Sequence, residues 1–143
     1  MPDATFVRPD LDAFCRLDEL GLRVVGQRLE PERAVLACTV EPGEFDRWCH
    51  RCGAEGVPRD SVTRTLAHEP FGWRPTTLQL TVRRFRCAAC RHVWRLDTSR
   101  AAEPGAKLSR RALRWALEAI VCQHLTVARV AEALAVTWNT ANN

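Results

Sequence analysis

Cys49-His50-Arg51-Cys52 and Cys87-Ala88-Ala89-Cys90 each set two thiols two residues apart, with 34 residues between the pairs. Two thiolates at that spacing can face one ion from a tight turn, and two such turns complete a tetrahedron around Zn(II). The expected ligands are Cys49, Cys52, Cys87 and Cys90, holding one structural zinc per chain. Gly53 follows the first pair, where a positive φ turns backbone N–H groups toward the sulfurs without strain. Arg91 stands in the equivalent place after the second pair and suits it less well, while His50 and His92 lie beside the knuckles as alternative ligands.

Two other uses of paired thiols compete with zinc. Disulfides need an oxidising compartment, but Met1-Pro2-Asp3-Ala4-Thr5 has neither a basic start nor an apolar run, so no secretory signal is visible. The total of seven cysteines is also odd, and Cys15, Cys38 and Cys122 sit among apolar neighbours as expected buried small hydrophobes. Trp48-Cys49-His50-Arg51-Cys52 has the outward form of a thiol oxidoreductase pair, in which the cysteines open a helix that lowers the first thiol's pKa. Gly53, Gly56 and Pro58 would break such a helix, which favours zinc.

A chain of 143 residues with 46% hydrophobic composition suits one ordinary domain or two small ones. No apolar stretch is long enough to span a bilayer, and reduced cysteines point to a cytoplasmic protein with no membrane partner. Residues 1–58 carry 7 basic and 11 acidic groups, whereas residues 59–114 carry 13 basic and 4 acidic. Of those 13 cations, 12 are arginine, the side chain that forks onto phosphate and guanine edges. Double-stranded DNA is the expected partner, with Arg83, Arg84, Arg86, Arg110, Arg111 and Arg114 as candidate phosphate contacts.

The elements that would position these groups make an α+β fold: a β-rich zinc ribbon with a preceding hairpin, then a helical segment. Residues 1–43 should hold a short helix between Pro9 and Leu20 and strands at Leu22 to Leu29 and Ala34 to Val40. Residues 44–100 should form the ribbon, with strands at Ser61 to His68 and Thr76 to Arg86 and little core apart from the metal. Alternation along the second of these fails beyond Val82, which predicts a bulge near Arg83 or a strand end.

Residues 101–107 read as a linker, and 108–143 as an incomplete helix-turn-helix. Leu108-Ser109 with Leu113, Leu125-Thr126 with Val130, and Val136-Thr137 with Ala141 repeat one start signal, a cap residue with an apolar staple. Leu113, Ala116, Leu117, Ile120 and Val121 are expected to form the buried face of the first helix.

Together these motifs resemble the N-terminal region of transposases of the ISL-three insertion-sequence family. The likeness lies in Cys49-His50-Arg51-Cys52-Gly53, in Phe71-Gly72-Trp73-Arg74-Pro75 leading through Leu78 to Arg86 into Cys87 and Cys90, and in Thr126 to Asn139. It covers most of residues 20–143. The resemblance implies a DNA-binding front end that helps to recognise the inverted repeats at element ends, with Thr137, Trp138 and Asn139 at the start of the groove-reading helix. The family's RNase-H-like catalytic domain has no counterpart in residues 1–143, so no transposase activity is expected of this polypeptide alone. A zinc-ribbon regulator or protein-interaction module is the alternative function, and a homodimer stays open.

Overall fold

The computed structural model describes residues 5–142, apart from the side chains of Trp138 and Asn142. Helix α1 (Leu11–Phe14) and a 3-10 turn (Asp18–Leu20) precede strands β1 (Leu22–Leu29) and β2 (Ala34–Val40). A long hairpin follows, β3 (Gly56–Phe71) and β4 (Arg74–Cys87), then the short β5 (Val93–Arg95). Helices α2 (Arg110–Val121), α3 (Val127–Leu134) and α4 (Trp138–Asn142) complete the α+β chain.

All five strands form one mixed sheet of order β1-β2-β4-β3, with β5 added to the end of β4. Strand β4 runs parallel to β2, from Ala34 opposite Thr76 to Thr39 opposite Thr81, and antiparallel to β3 and β5. The two hairpins are thus halves of one sheet. A single apolar cluster joins Leu17 and Leu36 to Leu66, Leu78, Leu80 and Val82, and continues to Phe85, Trp94 and the buried cysteines of the paired motifs. Each fully buried leucine contributes roughly 1.5–3 kcal/mol, so the ribbon has a substantial core besides any metal, contrary to expectation.

The N-terminal helix is shorter than its apolar spacing predicts. Asp10 caps α1 by accepting from the Asp12 and Ala13 amides, but Arg16 at φ 58° turns the chain before Leu17 can continue the helix. Leu17 and Leu20 still reach the core, through the 3-10 turn.

Along β4, burial falls on Thr76, Leu78, Leu80 and Val82, then on Phe85 and Cys87. The bulge lies in β3 instead of β4: Pro58 pairs with Phe85 and Asp60 with Arg84, leaving Arg59 as the extra residue. Phe85 is covered by Trp94 of β5, so the buried side of the sheet changes where the fifth strand joins.

The helices begin at the expected caps. Ser109 Oγ accepts from the Ala112 amide and Thr126 Oγ1 from the Arg129 amide. Ala135 takes φ 54° to end α3, and Thr137 Oγ1 accepts from the Thr140 amide at the start of α4. Two expectations fail here. On α2, Ala116 is buried and Ile120 half-buried as expected, but Leu113, Leu117 and Val121 are exposed, and Ala112 and Ala119 are buried instead. Ala101 and Ala102, read as linker, are fully packed in the sheet core. The alanine face packs on Val130 and Leu134 of α3, while Ser109, the cap of α2, meets His68 of β3 across 2.7 Å.

Candidate metal centre

The two Cys-x-x-Cys motifs meet at the far end of the β3–β4 hairpin from its turn. Local backbone builds each in the same way. Gly53 donates to Cys49 O and Arg91 donates to Cys87 O, both at 2.9 Å, and their φ angles are 77° and 63°. Arg91 therefore adopts the glycine-like conformation despite its side chain. The Cys49 and Cys87 amides are fixed in turn by Ala54 O and His92 O.

Topology joins the knuckles: Gly56 pairs with Cys87 at the hairpin's end, which brings residues 49–52 against residues 87–90. The four sulfurs all lie within 4.8 Å of one another. Across the knuckles, Cys49 Sγ is 3.5 Å from Cys90 Sγ and Cys52 Sγ is 3.3 Å from Cys87 Sγ. A tetrahedron with 2.3 Å metal–sulfur bonds has edges of about 3.8 Å, so these cysteines are positioned to hold one metal ion.

Metal binding needs thiolates. Cys87 is lowered to about 6, first by the Cys90 backbone N–H and then, against burial, by the Cys52 thiol. Burial opposes ionisation of Cys49 most strongly, but the Arg51 and Cys52 amides outweigh it and lower its pKa. Their partners across the knuckles go the other way. Against the Ala54 amide, the bond shared with the Cys87 thiol carries Cys52 to about 12, and against the His92 amide, the bond shared with the Cys49 thiol raises Cys90. Two of the four protons are thus held until a metal displaces them. The remaining thiols are placed differently. Burial raises Cys15 and carries Cys38 to about 12, as befits inert core cysteines. Cys122, also expected to be buried, is exposed after the last turn of α2, where no element covers it.

Trp94 ties this end of the molecule together, in the core packing expected of it beside the knuckles. Its ring stacks on Phe85 and His92 at centroid distances of 5.9 and 5.7 Å and meets the edge of His50 at 6.2 Å. Its Nε1–H donates to Asp46 O. Both histidines thus pack on the indole and stand outside the four-cysteine cluster. A Cβ on Gly56 would lie 2.6 Å from the Trp94 ring, so only glycine admits this contact. A glycine inside a strand is the sequence signal for such an approach. After Cys52 the chain turns and enters β3, so Cys49 does not open a helix.

The candidate DNA contacts are scattered. Arg84 forms a forked ion pair with Asp60, which lowers the carboxyl's pKa. Arg110 binds Glu103 and Ser99 O, and Arg114 binds Glu118. Arg111 is mostly buried, with Nε 3.5 Å from Glu69. A phosphate would have to compete with these carboxylates. Arg83 and Arg86 are exposed and form no ion pair among the described residues. Thr137 caps α4 and Asn139 is exposed, while the side chain of Trp138 lies outside the described part. No described helix is long and apolar enough to cross a membrane.

Comparison with known proteins adds no relative: no family model, no curated protein and no solved structure matches this chain.

Proposed function

We propose that this chain is a DNA-binding module of a transposase, of the ISL-three type it resembles, that helps to recognise element-end inverted repeats. Cys49, Cys52, Cys87 and Cys90 hold a structural Zn(II), whose preference for tetrahedral thiolates suits this donor set. The observation that carries the proposal is the four-cysteine cluster closing a hairpin that presents Arg83 and Arg86 to solvent. Helix α3, the turn from Ala135 to Thr137 and helix α4 are read as a helix-turn-helix following α2. Zinc ligation fills all four positions with cysteine, so the ion shapes the hairpin and supplies no open coordination site.

The test is binding of the zinc-loaded chain to duplexes bearing inverted-repeat ends and to scrambled duplexes, over a range of salt. Affinity should fall steeply with salt, and the repeat-bearing duplex should be preferred. A flat salt response overturns the proposal. Elemental analysis should find one zinc per chain.

The exposed stripe of Leu113, Leu117 and Val121 on α2 favours a second reading, a protein-interaction module. Leu117→Ser separates the two: it should leave duplex affinity unchanged if DNA is the partner.

A further inference from the structure

Arginines from three distant parts of the chain meet around one notch beside β4. Arg23 of β1, Arg47 from the loop after β2 and Arg83 of β4 line a cavity of about 380 Å3, together with the hydroxyls of Thr39, Ser61 and Thr81. Strand register puts them there. Arg23 lies opposite Thr39, Thr39 beside Thr81, and Arg83 opposite Ser61. Paired residues share a sheet face, so the rows are neighbours on its open side.

None of these three guanidiniums makes an ion pair among the described residues, in contrast to Arg28, Arg84, Arg110, Arg111, Arg114 and Arg129. Glu41 is the acidic group of the lining, leaving three cations against one anion. Like charges gathered around a cavity repel unless an anion joins them. Phe85 and Leu96 are buried at its base and keep part of it apolar, which strengthens an ionic contact made there.

We infer that the notch is a phosphate site that seats one phosphodiester of a nucleic-acid backbone. The arginines supply forked charged donors, and the threonine and serine hydroxyls supply neutral ones. The inference rests on the DNA-binding proposal and extends it: Arg23 and Arg47 come from the acidic first part of the chain, which composition alone sets apart from DNA. Inorganic phosphate presents the same oxygens, so it serves as the second probe.

The experiment measures duplex affinity against salt for the zinc-loaded protein and for Arg23→Gln, Arg47→Gln, Arg83→Gln and the Arg23→Gln/Arg47→Gln pair, with folding checked by circular dichroism. Each single change should weaken binding roughly tenfold, the loss expected of a hydrogen bond to a charged group. The slope of log affinity against log salt should fall by less than one in each single change and further, toward one, in the double change. The double change should cost less than the product of its parts, because both side chains serve one phosphate. Unchanged affinities and slopes overturn the site, and so do fully additive losses, which describe independent surface cations. Absence of any duplex binding would defeat the DNA proposal, and thermal melting with inorganic phosphate then decides the notch. Stabilisation of the wild type that is lost in Arg47→Gln upholds an anion site; no stabilisation overturns it.

Discussion

Arg91 occupies the left-handed region at a knuckle position where its counterpart is Gly53, and a side chain there costs about 1–2 kcal/mol. Arg91→Gly should therefore raise the melting temperature of the metal-loaded protein by a few degrees, and Gly53→Ala should lower it by a similar amount. A lower melting temperature for Arg91→Gly would show that the arginine side chain contributes more than its backbone strain costs. His68 is a second residue with a legible energetic role. Cys15 O can only accept, so Nε2 carries the hydrogen and Nδ1 accepts from the Ser109 hydroxyl. Burial lowers the pKa of this imidazole below its ordinary 6.5. The unfolded chain then binds a proton that the folded chain refuses. Stability is complete above pH 6.5 and falls as pH drops through that value toward the lowered folded pKa, by at most about 1.4 kcal/mol per pH unit. Urea titrations at pH 7.5 and 5.5 should show this loss in the wild type and a smaller one in His68→Gln.

The elements are joined by the tip of the long hairpin. Gly72 and Trp73 both have positive φ, at 60° and 64°, and for tryptophan this is strained. The strain is offset by position: Trp73 meets the edge of Trp115 on α2 at 6.2 Å and lies under the Arg129 guanidinium of α3 at 5.8 Å. Trp73→Gly should relax the turn and release the helices. Hydrogen exchange should then speed up in α2 and α3 while the middle of β3 and β4 stays protected; equal loss in both would make the tip a general folding determinant. Strands β1 and β2 were legible to the residue because alternation and the Pro31 turn bound them. The first residues of β3 were not, since Gly56, Pro58 and a bulge hide a pairing held by β4. Only part of the buried face of α2, Ala116 and Ile120, is legible in the sequence, for a related reason. Periodicity marks large apolar residues, but the face that packs on Val130 and Leu134 of α3 is Ala112, Ala116 and Ala119.

At the scale of the molecule, what could be read depended on sequence distance. Each cysteine pair is a local motif, and its spacing announced the four-cysteine cluster. The gathering of Arg23, Arg47 and Arg83 depends on β2 and β4 lying parallel, a pairing that no short pattern encodes. The same pairing changes what metal removal should do. An isolated ribbon would unfold on losing its ion, because the metal would supply most of its folding energy. Here β4 is flanked by both β2 and β3, and the apolar cluster extends from Leu17 to the cysteines. Chelation should therefore melt the knuckle end first. Exchange protection should vanish in residues 45–57 and 86–95, tryptophan fluorescence should report exposure of Trp94, and the melting temperature should drop. Protection in β2, at Leu78 to Val82 of β4 and in α2 should persist. Complete unfolding in chelator would show that the shared core is too small to stand without the ion; full retention of protection around Cys49 and Cys87 would show that the cluster folds without needing one.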